Sequence, residues 1–323
     1  MDTKSLIHEA RRAVSAASYC PKKLTAIHTG VSAGVGLLAA LFTYLLSTAG
    51  GNAVGLGGIG TQAALETAQS VLQLATSILL PFWSLGFVAA AIHMARWQQA
   101  TPHTLLEGFR RWAPALRMMI LQGVIYFAIT FATIQLGSFL YMMTPFAAPL
   151  NALLQQMADA GTVDTTALMQ LLLELDPQEL MTIFWTMLPF LAVPTLVVLL
   201  PVYYRMRLAQ YLLMDQPRAG ALISVLLSFR LMKKHCFQLF LLDLRFWWFY
   251  ALEVLVQLLC YGDLLLPLMG VELGVNGLLA SLLFYALALV CQVGLYVWRK
   301  PQIFTTYALF YEALLPKEQS AAQ

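Results

Sequence analysis

Six apolar runs dominate this sequence: Thr29–Ala49, Ser70–Ala95, Met118–Met143, Ile183–Tyr203, Cys236–Cys260 and Gly277–Trp298. A hydrocarbon core about 30 Å thick needs roughly 20 apolar residues per helical crossing, and each run meets that length. Inside lipid every backbone polar group must be bonded within the protein, which leaves only helices and closed barrels as spanning structures. Barrel strands would read as alternating segments of about 10 residues, and none occur. The runs therefore predict an all-α fold: a polytopic membrane helix bundle of six transmembrane helices. Composition agrees, since 60% of the chain is hydrophobic and only 11% charged, against about 25% charged in a soluble protein. The first run is too long for a cleavable signal and lacks a small-residue cleavage site, so it is expected to stay in the membrane.

Lys and Arg set the expected orientation. Lys4, Arg11, Arg12, Lys22 and Lys23 precede the first run, and Arg96, Arg110, Arg111 and Arg117 lie around the second connection. Arg205, Arg207, Arg218, Arg230, Lys233 and Lys234 lie in the fourth, and Arg299, Lys300 and Lys317 follow the last run. The other connections hold carboxylates only, among them Asp159, Asp164, Glu174, Asp176, Glu179, Asp263 and Glu272. The positive-inside rule then places both termini in the cytoplasm of a multi-pass cell-membrane protein. A net charge of +3 conceals this asymmetry. Basic segments at such a face meet anionic lipid headgroups, so membrane lipids are expected partners and nucleic acid is not.

The chain reads as one membrane domain, residues 1–323. It comprises a cytoplasmic N-terminal helix (1–28), an outer helical loop (144–181), a cytoplasmic interfacial helix (204–235) and a cytoplasmic tail (301–323). The outer connection "AGGNAVGLGGIGTQ" is glycine-rich and expected to be flexible. In the outer loop, Gly161 suits a helix C-terminus and Asp164 an N-cap, while Asp176-Pro177-Gln178-Glu179 is a capping box with proline at the first helical position. Two short amphipathic helices are expected there, as a lid or an interfacial cover. On the basic side "TPHTLLEGFRRWAPALRMM" and "QPRAGALISVLLSFRLMKKH" share a proline start, an apolar stripe and a Phe-Arg pair. Each predicts an amphipathic helix in the interface.

Charged and polar residues interrupt the fifth run. A charge at the bilayer centre costs about 2.5–3.5 kcal/mol on insertion scales, so Asp243, Arg245 and Glu253 should face protein, water or the headgroups. Arg245 is long enough to snorkel to the headgroups and Asp243 is not. Asp243, Tyr250 and Gln257 recur every seven residues, with Glu253 beside them, on one side of a continuous helix. The sixth run carries a similar stripe, Ser281, Tyr285 and Gln292, and the third carries Gln122, Tyr126 and Thr130. Such stripes either bond to one another across helix contacts or line a hydrated path. Pro189, Pro194 and Pro201 make the fourth run a candidate hinge.

Motifs for chemistry are sparse. "GLGGIG" follows a membrane run rather than a strand, so it does not predict a dinucleotide site. The histidines, His8, His28, His93, His103 and His235, sit near the basic boundary without metal-ligand spacing and read as interfacial fillers. No CxxC pair, nucleophile elbow or second intramembrane Asp appears. No catalytic, metal-binding or cofactor-binding residue is expected, and no cofactor. Gly30 and Gly34 form a GxxxG pair that suggests close helix packing.

The stretch from Ser228 through "LMKKHCFQLFLLDLRFWWFYAL" resembles the most recognisable block of an uncharacterised bacterial membrane-protein family, catalogued as domain of unknown function 975. The matching positions are Ser228, Met232-Lys233, Phe237, Phe240, Leu242-Asp243-Leu244, Phe246 and Trp248. "SLIHEARRAVS" is similar to that family's N-terminal basic helix, and Pro301, Phe310 and Tyr311 to its closing signature. The resemblance implies an integral inner-membrane protein of six helices, and it implies that Asp243 belongs to the architecture. The expected role is non-enzymatic: an assembly, regulatory or envelope-stress component acting through lipids, a membrane-protein partner or a second copy. The alternative is a transporter of a small or lipophilic solute, its path lined by the polar stripes of the third, fifth and sixth helices.

Overall fold

The computed structural model describes residues 3–17, 19–53, 58–148, 150–152, 155, 177–262 and 277–315, and every regular element among them is helical. The elements are α1 (Thr3–Ala16), α2 (Pro21–Ala53), α3 (Gly58–Ala95), α4 (Glu107–Arg110), α5 (Trp112–Met142), α6 (Pro177–Met206), α7 (Ala209–Asp215), α8 (Gly220–Met232), α9 (Cys236–Arg245), α10 (Trp247–Cys260) and α11 (Gly277–Leu314). Three stretches, Thr67–Ala95, Trp112–Met142 and Met181–Asp215, are long and apolar enough to cross a membrane. The short outer amphipathic helices expected before Pro177 lie mostly outside the described residues, of which 148, 150–152 and 155 are helical, and Asp263, Glu272 and Lys317 lie outside them.

Packing divides the chain into two units, Met1–Arg117 with Leu208–Gln323, and Met118–Arg207. In the first, α11 is the central element and packs on α1, α2, α3 and α10. Its core lies at the Lys/Arg-rich end of the helices. Leu24 of α2, Leu85, Phe87 and Met94 of α3, and Phe310 and Tyr311 of α11 are fully buried there. Toward the other end, Leu38, Leu41, Val71, Leu74, Leu283 and Val290 are exposed. The N-terminal helix joins this core as its amphipathic pattern requires: Leu6, Ala10 and Ala13 share one face and are buried.

Two glycines let the segment after α3 fold back onto it. A Cβ on Gly86 would overlap the Leu105 carbonyl, and one on Gly108 would overlap the Phe82 carbonyl. Phe109 then rests on Phe82 and Trp83, ring centroids 5.9 and 6.3 Å away. Gly30 and Gly34 have nothing within 4 Å of an added Cβ, so the expected GxxxG contact is not made among the described residues.

The two similar basic connections adopt the same local order. A proline-led 3₁₀ turn, Pro102–Leu106 or Pro217–Ala219, leads into a helix, α4 or α8. The glycine-rich connection is more helical than expected, with α2 continuing to Ala53 and α3 starting at Gly58. Proline opens α6 at Pro177 as the capping box predicts, and α6 runs unbroken past Pro189, Pro194 and Pro201.

The expected fifth span is two helices rather than one. At Phe246 the backbone tightens, its amide bonding to the Asp243 carbonyl at 2.8 Å, and α9 and α10 meet there. The helix that holds the sixth apolar run is longer than that run. Helix α11 continues through Arg299, Lys300 and Pro301 to Leu314, so the first part of the expected cytoplasmic tail, residues 301–311, is helical and mostly buried.

In the second unit α5 and α6 meet where Gly137 faces the Phe190 carbonyl. Thr195 bonds Thr133 at 3.2 Å, and Tyr141 lies 3.3 Å from Thr186. Elsewhere these helices turn large apolar side chains outward, Phe127 at 72% exposure and Val197 at 66%.

Candidate functional site

Three polar clusters stand out in the first unit, and each is built by helices that meet α11 or border it. The first gathers at the end of α3. The helix closes with Trp97 in the left-handed region (φ 58°), its amide bonding the Met94 carbonyl while the Gln98 amide bonds that of His93. This is a Schellman termination with tryptophan where glycine is usual. It aims Arg96 at two carboxylates: Nη1 meets Asp215 at 2.7 Å and Nε meets Glu312 at 2.6 Å. Tyr311 donates to the other Asp215 oxygen at 2.8 Å. Asp215 is almost wholly buried, its side chain 3% exposed. Burial, then the charge of Asp215, pushes the Tyr311 phenol up, so it stays a donor. Beside this clamp Arg111 bonds the Met214 carbonyl and lies 3.5 Å from Glu107.

The second cluster holds most of the sequence candidates. Asp243 accepts a hydrogen bond from Tyr307, whose hydroxyl also lies 2.8 Å from that of Tyr250. Glu253 accepts one from Tyr296, and Gln292 donates to the same phenol at 3.4 Å. Two tyrosines of α11 thus link Asp243 with Tyr250 and Glu253 with Gln292. Gln257 is exposed and, with Tyr250, Glu253, Val254, Leu258 and Tyr261, lines a cavity of about 320 Å³. Tyr285 is half-buried on α11, and Gln122 is half-buried on α5 in the second unit. The helix breaks at Phe246, between Asp243 and Tyr250, and the two side chains nevertheless meet at the Tyr307 hydroxyl.

Lys300 borders this cluster, 4.6 Å above the Tyr296 ring and 5.5 and 5.7 Å from those of Phe87 and Phe304. Burial lowers its pKa to about 8, opposed by the charge of Glu253. His28 lies nearby, stacked on Trp83 with ring centroids 5.7 Å apart and 4.8 Å from Phe87. It is 3% exposed, and neither ring nitrogen has a hydrogen-bond partner among the described residues. Burial, then the Lys300 charge, lowers its pKa to about 3. His28 is therefore a neutral core histidine and not an interfacial filler.

The third cluster surrounds Arg245 at the junction of α9 and α10. Lys4, Ile7, His8 and Arg11 of α1 enclose with it a cavity of about 280 Å³. A second cavity, about 540 Å³, adjoins Arg245 from the apolar side, between Thr3, Leu241, Leu244 and Trp247.

Sequence reading found Asp243, Tyr250, Glu253 and Gln292 and missed their partners. The signal was present: Tyr296, Lys300, Tyr307 and Tyr311 recur at helical spacing across Pro301. It was hidden because Arg299-Lys300-Pro301 looks like the end of a span. Among the described residues no group of His, Cys, Asp and Glu gathers to hold a metal, and all four cysteines are free thiols. No protein-family model, curated protein or solved structure matches this chain.

Proposed function

We propose that this chain is a non-enzymatic multi-pass protein of a bacterial inner membrane, with six crossings and both termini cytoplasmic. It acts as an assembly, regulatory or envelope-stress component through membrane lipids or a membrane-protein partner. Its resemblance to the family of unknown function 975 belongs to the same proposal. The observation that carries it is the division of the long helices of the first unit, α2, α3 and α11, into two zones. Side chains pack tightly at the Lys/Arg-rich end and turn large apolar groups outward beyond it.

Water drives apolar side chains together, whereas lipid tails are as apolar as leucine and supply no such force. A chain packed at one end and apolar outward at the other suits a bilayer that covers only the second zone. In this reading α1, α9 and the Arg245 junction lie at the cytoplasmic headgroups, and α10 continues into the membrane. Cations there also meet the anionic lipid surface.

The test is native mass spectrometry of the protein released with its surrounding lipid, after crosslinking in the membrane. A stoichiometric protein partner or retained lipid is the expected result. Recovery from the soluble fraction without detergent overturns the reading.

The 320 Å³ cavity beside Glu253 and Gln257 favours a second reading, transport of a small or lipophilic solute. A gradient-driven flux abolished by Asp243→Asn at unchanged protein level would establish it in place of the first.

A further inference from the structure

We propose that α1 and the α9–α10 junction form a discrete binding site for one anionic phospholipid, its phosphate held by Lys4, His8, Arg11 and Arg245 and its acyl chain laid against Leu241 and Trp247. The inference rests on the reading of the chain as a membrane protein and names the lipid class that this face takes.

Helical spacing produces the charged wall. Lys4, His8 and Arg11 fall at i, i+4 and i+7 of α1, one stripe, while Leu6, Ala10 and Ala13 form the neighbouring buried stripe that docks the helix. The docked face fixes the direction of the basic one, and α9 brings Arg245 to its far side. Glu9 lies off this stripe. Among the described residues His8, Arg11 and Arg245 form no ion pair, the paired carboxylates Glu107, Asp215 and Glu312 being engaged elsewhere.

Arg245 is the pivot. It borders both the basic cavity and the apolar one, and its Nη1 is buried with no hydrogen-bond partner among the described residues. An unpartnered guanidinium nitrogen beside further cations calls for an anion, and a phosphate offers the planar fork two oxygens at once. Arg299 adds to the positive field. Its guanidinium is packed over Trp298 at 4.1 Å, and its pKa is lowered by burial and then by the charge of Arg11. A free phosphate would satisfy the charges and leave the groove at Leu241 and Trp247 uncovered. A lipid satisfies both with one molecule.

The experiment uses the full-length protein in phosphatidylcholine vesicles with and without phosphatidylglycerol, delipidated stepwise and weighed by native mass spectrometry. One phosphatidylglycerol should outlast phosphatidylcholine on the wild type. Arg11→Gln, on an exposed side chain that folding does not need, should weaken retention about fivefold, as should Arg245→Gln. Arg245→Lys should restore part of it, and Arg230→Gln, an exposed cation of α8, should leave it unchanged. Glycerol phosphate, the headgroup without chains, should not displace the lipid at comparable concentration. Equal retention of both lipids by a protein that stays membrane-integrated overturns the site and leaves the membrane reading intact. Displacement by glycerol phosphate overturns the lipid assignment in favour of a free phosphate ester. Failure to integrate into either vesicle counts against the membrane reading itself.

Discussion

Arg96 and Asp215 form a buried ion pair, 2.7 Å between Nη1 and Oδ1, that joins the end of α3 to the end of α7. Glu312 completes the clamp from α11 at 2.6 Å. Three segments far apart in sequence are therefore tied at one guanidinium, next to the fully buried Tyr311.

Without Asp215, Arg96 keeps only Glu312, and without Arg96 the buried Asp215 keeps only the Tyr311 hydroxyl, so each loss should fall below the cost of about 3–5 kcal/mol for a buried charge left wholly unpaired. Asp215→Asn and Arg96→Gln should each lower the thermal midpoint in detergent sharply. The double substitution Arg96→Gln with Asp215→Asn should be less destabilised than the sum of the two single ones. Additive losses in that cycle would show that the pair is not coupled.

Gly86 makes the sharpest packing prediction. Its Cβ would strike the Leu105 backbone, which cannot rotate aside as a side chain would. Gly86→Ala should cost about 1–3 kcal/mol, the range of overpacked sites. Gly123→Ala, where a Cβ meets open space, should be neutral or stabilise by up to about 1 kcal/mol. Parallel thermal melts of the two variants decide the matter.

Tyr307 connects Asp243 to Tyr250 through one hydroxyl. Tyr307→Phe removes a donor from a carboxylate and should destabilise by about 1–3 kcal/mol. Asp243→Asn, which keeps an acceptor, should cost less, and the effects of the two should not add. Comparable, additive losses would mean that the tyrosine and the aspartate act separately.

His28 should make stability depend on pH. Its pKa is about 3 in the fold against 6.5 as the ordinary value, because burial and then Lys300 disfavour the imidazolium. Between these values the unfolded chain binds the proton and the folded chain does not. Stability is therefore present above about pH 6.5 and is lost as pH falls toward 3, with a limiting slope of about 1.4 kcal/mol per pH unit. His28→Phe keeps the stack on Trp83 and should flatten this slope. An unchanged slope in unfolding titrations of the variant would assign the dependence to other groups.

Much of the helical plan was legible from local sequence. Apolar runs marked the long helices, Pro177 marked the start of α6, and Pro102 and Pro217 marked matching turns. The break at Phe246 was not legible, because neither proline nor glycine stands there and the 3₁₀ tightening involves only backbone groups. The link from Asp243 to Tyr307 spans 64 positions and that from Arg96 to Glu312 spans 216.

What the sequence determined by itself is what depends on near neighbours and on solvent preference. Helix periodicity, proline turns, the docked stripe Leu6–Ala10–Ala13 and the separation of basic from acidic connections all follow from residues a few positions apart. The tertiary structure alone decided which charges meet. An ion pair or a shared hydroxyl needs a distance of about 3 Å between particular atoms, and only packing brings Arg96 to Asp215 or Tyr307 to Asp243. It also decided where the core lies. Hydropathy is the same along an apolar helix whether its side chains face protein or lipid, so only the neighbours reveal that Phe87 is inside and Phe127 outside.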